Sequence, residues 1–558
     1  MLQKPTGSPL LHEVEMVLTS YLLMPPSPST VACRSSLISR GILFFFIVCT
    51  SMLVAVGHWG GAFDSDLGGD PDEAAHAVTA LMLRDYATAA AGDPPMGFAR
   101  TYYEDFPRVA LGHYPPLYYL VAAPLLLPGA SVTILILLQA ITLAGLAALT
   151  VGTARRLSLH VGIQMAAGVA VLVLPFALKL AQHVMADILL AFLCLWAVLA
   201  WANYLRQPTV GRALGWGCIA AAAILTKGSG MGLCLLPPVA SFFAGRLRLM
   251  ATGSWWLSAL PVAVLAGPWM IYSTGISKEG MTLLSPLQYF LEAVPYYLGA
   301  TPLVFGWPLT VAAAIGAIAG CRRKALSCEA ASLIGMSVGM VAVLLFVPVG
   351  LSTRYMLTLA PVIVIAGAFG VEVIPWRGSA SRFGKPLLLA TIAAAPLMWN
   401  GILKKEVHGF TEAVMRSGPS APGESKKHWL VASDPRGEGA IIAAAAFNCP
   451  QRSPSLLRVY RGSKELGSSD WMGRDYKAAF TQTAQMLAHL DEIQVSRVFI
   501  DLSVAADRRQ PHEGQLLAAM QSGDPRWSLD FEQPVTRRSW EKGTLLVYKR
   551  TASGSAQK

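Results

Sequence analysis

The run Gly41-Ile42-Leu43-Phe44-Phe45-Phe46-Ile47-Val48-Cys49-Thr50-Ser51-Met52-Leu53-Val54-Ala55-Val56 carries no charge, and thirteen residues later comes Gly69-Asp70-Pro71-Asp72-Glu73-Ala74-Ala75-His76. The first stretch decides the fold; the second says where to look for chemistry. No other strongly apolar run precedes the acids, so they lie beyond the first membrane crossing. Carboxylates clustered at one membrane face of an apolar chain are costly to hold there unless they bind or react.

Working outward, the same apolar character recurs. Of 558 residues 54% are hydrophobic and 14% charged, against about 25% charged in a soluble domain. Runs near the length needed to cross a ~30 Å hydrocarbon core repeat between Gly41 and Ile402. They are continuously apolar, which excludes a transmembrane barrel of alternating strands. The chain reads as a polytopic α-helical membrane protein. Crossings fall at about 41–57, 132–153, 159–176, 186–204, 213–227, 230–245, 255–273, 298–320, 330–348, 356–375 and 386–402, about 11 transmembrane helices. Pro116 to Pro128 is apolar but short and proline-flanked, and reads as a re-entrant or interfacial helix.

The net charge of +11 does not point to nucleic acid, because the bases sit in tight clusters between apolar runs. These are Arg34 and Arg40; Arg155 and Arg156; Arg206 and Arg212; Arg246 and Arg248; Arg322, Arg323 and Lys324; and Arg377, Arg382 and Lys385. Under the positive-inside rule they mark cytoplasmic loops. The N-terminus is then cytoplasmic and the C-terminal region exoplasmic. Residues 1–40 read as a disordered cytoplasmic extension, 41–402 as the transmembrane domain with a large first exoplasmic loop at 58–131, and 403–558 as a soluble exoplasmic domain.

That last domain mixes strand-like and helical patterns. Trp429 to Ala432, Arg497 to Leu502 and Thr544 to Tyr548 read as buried strands, with helices expected at 474–491 and 511–522, which suggests a small α/β domain. Asp434-Pro435-Arg436-Gly437-Glu438-Gly439 stands at a loop-to-helix position where glycine could cradle a phosphate, but it has no Walker or Rossmann pattern. Eight scattered cysteines with no CxxC pair give no disulfide or zinc framework. There is no clear internal repeat of the kind inverted-repeat transporters carry.

Five features can carry chemistry, and each has a bland alternative. Asp72 and His76 share a helix face four residues apart, though a carboxylate in a first turn is often a cap. His113-Tyr114-Pro115-Pro116-Leu117-Tyr118-Tyr119 could be only an aromatic belt with a proline turn. Lys179 to Asp187, which includes His183, is a polar patch in an outer hairpin, and Asp187 could cap its helix. Lys227, in Leu225-Thr226-Lys227-Gly228, could simply snorkel. Arg354-Tyr355 sits at the mouth of a helix pair. All fall on one membrane face. Cations there can hold a lipid-linked phosphate while a carboxylate activates a nucleophile.

In order, Asp72-Glu73, His113 to Tyr119, Asp187, Leu225 to Gly228 and Arg354-Tyr355 resemble the bacterial GT-C glycosyltransferases, nearest the protein O-mannosyltransferase and lipid A aminoarabinose-transferase branch. The resemblance spans roughly 41–375; Tyr114 intervenes where the family often has His directly before the prolines. It implies a transferase of the bacterial inner membrane that uses a polyprenyl-phosphate sugar and acts with inversion on a glycan, lipid or protein acceptor. Asp72 would be the general base, with Glu73 beside it in the catalytic centre. Lys227, Arg354 and Tyr355 would hold the donor phosphate, and His76, His113, His183 and Asp187 would position substrate. The resemblance fixes no cofactor with certainty; a divalent metal, which some relatives bind, would fall to Glu73, His76 and His113. A polyprenyl-lipid flippase or transporter, or a non-catalytic export or assembly subunit, is the alternative. Transporters usually place ionisable groups at mid-membrane, whereas these helices are almost charge-free in mid-span.

Overall fold

Apolar length sorts the helices. The computed structural model describes residues 28–321, 326–375, 381–401, 404–418, 425–449, 456–469 and 473–551. Most of the expected N-terminal extension lies outside them, as do Arg322, Arg323, Lys324 and Arg377. Six helices are long and apolar enough to cross a membrane: Arg40–Trp59, Val132–Arg156, Asp187–Arg206, Gly253–Glu279, Cys328–Phe346 and Thr353–Glu372. Two further pairs pass together but are bent, Val161–Val173 with Pro175–Ala181 by 63° and Pro286–Phe305 with Trp307–Gly320 by 109°, giving up to eight spans. Val210–Thr226, Gly228–Phe243 and Phe383–Ala394 are apolar but shorter. Pro175, which has no N–H to continue the preceding helix, explains the first bend. The protein is a multi-pass helical membrane protein.

The two ends of this bundle differ in charge. Arg206 closes the Asp187–Arg206 helix and pairs with Glu329, which is fully buried; Arg156 stands nearby and donates to Asn203. Asp187 opens the same 20-residue helix, about 30 Å away at 1.5 Å per residue. The basic residues and the acids of the 64–105 stretch therefore occupy opposite ends.

Three helices, Pro71–Ala89, Pro95–Asp105 and Leu117–Leu125, fill the segment after the first span. Pro71–Ala89 is the longest, and Leu117–Leu125 packs beside it with Tyr118 and Tyr119 fully buried. Against this segment sits the C-terminal domain, a five-stranded sheet of order β2-β1-β5-β7-β6, with a two-stranded β3-β4 ribbon apart. The strands are β1 Lys427–Ala432, β2 Leu457–Arg461, β3 Gly467–Ser468, β4 Lys477–Ala478, β5 Arg497–Asp501, β6 Trp527–Arg538 and β7 Glu541–Arg550. β1 pairs parallel with β2 and β5, while β7 runs antiparallel to β5 and β6. The helix expected at 474–491 begins at Thr483, because Lys477 and Ala478 are taken up by pairing with β3.

One face of the sheet joins the membrane-side loop in a single core. Trp429, Val431, Phe499 and Val547 pack with the Pro435–Asn448 helix, and that helix packs on the Pro71–Ala89 helix. The two helices approach so closely at Gly439 that a Cβ there would come within 3.0 Å of the Ala74 Cβ. The helix carrying Asp72 is thus clamped between the bundle and the C-terminal sheet.

Candidate functional site

Pro71 starts a helix because its missing N–H is no loss in the first turn. Asp70 takes the capping role, its carboxylate accepting from the Asp72 N–H at 3.0 Å. Asp72 is therefore not the cap. Its carboxylate turns outward and receives Nη2 of Arg354 at 2.6 Å and the Tyr114 hydroxyl at 2.9 Å. Arg354 also reaches Asp70 at 3.3 Å. Burial works to raise the Asp72 carboxyl, but Arg354, His76 and the hydrogen bonds from Arg354 and Tyr114 outweigh it and hold the group down at about 2.

The second pair lies beside the first. Lys227 follows the last turn of the Val210–Thr226 helix, where the chain leaves helical geometry before the Gly228–Leu235 turn. Its ammonium donates to Asp187 at 2.7 Å. It also stands 4.7 Å from the centre of the Tyr355 ring and 5.7 Å from that of Tyr114, while the Arg354 guanidinium lies 5.3 Å from the same Tyr355 ring. Both cations thus lie against the one Tyr355 ring, a favourable contact for each. Asp72, Asp187, Lys227, Arg354 and Tyr355, from four separate stretches of sequence, form one cluster.

His76 faces the inside of this cluster. Its Nδ1 meets the Tyr119 hydroxyl at 2.9 Å, and the rings of Tyr114, Tyr118 and Tyr119 surround it. Burial, with Lys227 and Arg354 nearby, lowers its pKa to about 4 against the pull of Asp72 and Asp187. The imidazole is neutral at pH 7.

Glu73 departs from the catalytic expectation. Its carboxylate is fully buried and is consumed by Lys405 at 2.5 Å, the Gly69 N–H at 3.1 Å and the Val184 N–H at 3.2 Å. Oε1 takes Lys405 and Val184, and Oε2 takes Gly69. The group instead ties the first loop to the chain entering the C-terminal domain, where Lys405 N–H also donates to the Gly60 carbonyl. His183 is spent in the same region, its Nδ1 on the Lys179 carbonyl at 2.7 Å, and its ring lies against Gly69, where any Cβ would collide with Nε2. His113 has Glu279 at 4.0 Å from its Nε2. Tyr114, the residue between His113 and the prolines, makes the contact with Asp72 instead.

Among the described residues no three His, Cys, Asp or Glu side chains gather as a metal-binding group. Glu73, His76 and His113 are thus not brought together, and Lys405 occupies the carboxylate such a site would need. The Asp434 loop offers no phosphate cradle either: the Arg436 and Gly437 N–H groups are capped by Asp434 itself.

Sequence pattern did not single out Tyr114, Asp70 or Lys405. The only signal for Tyr114 was its place immediately before Pro115-Pro116. Nothing near Lys405 marks it, since its partner lies 332 residues earlier.

This arrangement, a helical membrane body with a clamped first loop and a small sheet domain, has a likeness of fold among solved structures. Among solved structures the chain is similar to ArnT from Cupriavidus metallidurans in the apo state, with a TM-score of 0.55 at 14% identity over 93% of this chain and 100% of that one. ArnT from the same organism bound to undecaprenyl phosphate gives 0.44 at 18% identity, over 73% of this chain and 75% of that one. The Archaeoglobus fulgidus oligosaccharyltransferase tethered with an acceptor peptide gives 0.45 at 13% identity, over 89% and 75%. The first likeness is one of fold, and the two below 0.5 are too loose to add to it. No protein-family model and no curated protein matches the sequence.

Proposed function

We propose that this protein is an inverting glycosyltransferase that takes a sugar from a polyprenyl-phosphate donor and transfers it to an acceptor on the exoplasmic face of a bacterial inner membrane. The observation that carries this reading is the Arg354–Asp72 pair with Lys227 beside it. Two cations suited to a phosphate adjoin one carboxylate suited to a hydroxyl, at the end of the apolar bundle opposite Arg206 and Arg156. The basic end supports a cytoplasmic assignment for that side, which leaves the cluster outside.

The chemistry follows from the charges. The acceptor oxygen bonds to the anomeric carbon as its proton passes to Asp72, and the anomeric carbon–phosphate oxygen bond breaks. The leaving polyprenyl phosphate gains a negative charge and needs no proton, because Arg354 and Lys227 stabilise that charge as it develops. With no donor bound, Arg354 is engaged by Asp72 and Asp70, and Asp72 is too weak a base to take a proton. A phosphate that draws Arg354 toward itself removes the largest opposing charge and returns basicity to Asp72. The donor thereby prepares the base. Tyr114 keeps the carboxylate oriented, and Asp187 fixes the Lys227 ammonium.

His76 and the Glu73–Lys405 pair position the Asp72 helix in this reading, and Tyr355 holds the two cations side by side. The sugar and the acceptor are set by surfaces beyond this cluster. The test is a transfer assay in proteoliposomes with a polyprenyl-phosphate sugar. Free polyprenyl phosphate that accumulates only when acceptor is supplied supports an enzyme; donor that crosses the bilayer with its sugar still attached would identify a flippase instead.

A further inference from the structure

A cavity of about 600 Å³ lies toward the end of the bundle opposite Asp72, among the first span and the Val132–Arg156 and Asp187–Arg206 helices. Small residues open it. Gly145, Ala148 and Gly152 recur on one face of the Val132–Arg156 helix, and a Cβ on Gly152 would meet no atom within 4 Å. Phe192 and Leu199 of the Asp187–Arg206 helix and Ile42 of the first span add to the lining. From Gly145 to Arg156 the helix rises about 16 Å at 1.5 Å per residue, roughly half of a ~30 Å hydrocarbon core. The groove therefore runs the depth of one leaflet and ends at two guanidiniums, Arg155 and Arg156.

Positive charge is in excess at that mouth. Both arginines are exposed, and Arg155 has no carboxylate partner among the described residues. Arg156 donates to the Asn203 side chain at 2.8 Å; Glu329 is 3.9 Å from it and is paired more closely with Arg206. An apolar slot capped by cations is shaped for an amphiphile, and basic pockets between transmembrane helices seat acidic lipid headgroups. The first span has surface to spare for such a partner, since only 17% of its apolar window is buried within the protein.

We propose that this groove binds an anionic phospholipid of the leaflet on the Arg155–Arg156 side. Its headgroup phosphate sits on the two arginines, and one acyl chain lies along Gly145, Ala148 and Gly152. A zwitterionic lipid fits less well, because its ammonium group brings a further positive charge to the same mouth. The bound lipid packs the first span, and so the loop that follows it, against the rest of the bundle. The site does not depend on the glycosyltransferase reading: a chain without transferase activity would still hold the lipid.

The full-length protein, stripped of lipid in detergent, is offered phosphatidylglycerol and phosphatidylcholine of the same chains in equal amounts, and bound lipid is read by native mass spectrometry. Arg155→Gln removes the unpaired charge. Gly152→Leu fills the groove and leaves both arginines. Arg248→Gln removes an exposed cation outside the lining, in the loop before Ser254, which meets Tyr204 near the same end. The expected result is that the wild type retains phosphatidylglycerol in preference to phosphatidylcholine. Retention falls about 5-fold in Arg155→Gln, the scale of one cation at a membrane surface, is lost in Gly152→Leu, and is unchanged in Arg248→Gln. Phosphatidylglycerol should also raise the melting temperature of the wild type and Arg248→Gln more than that of the other two. No preference in the wild type, equal retention by wild type and Arg155→Gln, or equal losses in Arg155→Gln and Arg248→Gln would overturn the proposal. Displacement by an equal amount of polyprenyl phosphate would overturn it too, by giving the groove to the donor lipid. If Gly152→Leu does not fold, Arg155→Gln, changed only at an exposed side chain, decides the matter.

Discussion

Arg354 and Asp72 stand 282 residues apart in sequence and 2.6 Å apart in space, Nη2 to Oδ2, with the Arg354 Nη1 on Asp70 at 3.3 Å. The pair joins the entrance of one transmembrane helix to the first turn of the loop helix clamped by the C-terminal domain. It also makes the carboxylate a poor base until something else claims the guanidinium. Arg354→Ala should therefore do two opposing things: weaken donor binding and raise the pKa of Asp72 from about 2. Turnover falls in the account, while Arg354→Lys, which keeps the charge but not the two-pronged contact, retains more of it. Kinetics over a donor series checks this; an Arg354→Ala enzyme with unchanged donor KM would remove Arg354 as phosphate ligand.

Lys227 and Asp187 separate structure from function. Both are buried, and removing one partner of a buried pair leaves an uncompensated charge at a cost of about 3–5 kcal/mol. Lys227→Ala should be markedly less stable than wild type. Lys227→Met/Asp187→Leu should recover much of that stability and none of the activity, since the cation is gone. Thermal unfolding and turnover measured on the same preparations decide it, and an active double variant would make the pair purely structural.

The Glu73–Lys405 pair predicts the converse. Glu73→Ala strands Lys405, only 3% exposed, and should destabilise by a similar few kcal/mol. Glu73→Gln/Lys405→Met keeps the shape and loses both charges, so it should fold and keep substantial turnover. If that variant folds with wild-type stability yet is as inactive as an Asp72 variant, Glu73 belongs to the chemistry after all.

At Gly69 the ring of His183 occupies the space a side chain would need. Gly69→Ala must push either His183 or the turn that supplies Asp70, and overpacking of this kind costs about 1–3 kcal/mol. A lower melting temperature is expected, with relief in Gly69→Ala/His183→Ala. No relief in the double variant would place the strain elsewhere.

His76 sets an acid limit. Its folded pKa of about 4 lies below its ordinary 6.5, so the fold holds it neutral and the unfolded chain binds the extra proton first. That contribution to stability is complete above 6.5 and is lost as pH falls from there toward 4. The melting temperature should drop between pH 7 and pH 5 in wild type and drop less in His76→Gln. Parallel curves for the two proteins would show that another group sets the limit.

Much of this was legible in sequence for a simple reason: apolar length and basic clusters are local properties. The Gly41–Val56 run, the basic clusters and the three strand stretches around Trp429, Phe499 and Val547 each announce themselves within a short window. Asp72, Lys227 and Arg354 were findable because charges near apolar helix ends are few. What local reading missed is pairing at a distance. Asp70 rather than Asp72 caps the helix because of how one turn is made, and Lys405 claims Glu73 across 332 residues. The helices at 161–181 and 286–320 are bent where continuous hydropathy suggests a straight span, since hydropathy does not register a break at Leu174 or Gly306. Tyr114 was hidden among the aromatics that surround it.

The central claim is that Asp72 takes the acceptor proton once a phosphate has drawn Arg354 away. Its most direct test is the turnover of Asp72→Asn, which keeps the shape and the Tyr114 contact, with folding and donor binding confirmed on the same sample. The account predicts a loss of at least about 100-fold in kcat, the usual scale for a general base, with donor affinity retained. Turnover near the wild-type rate would contradict it.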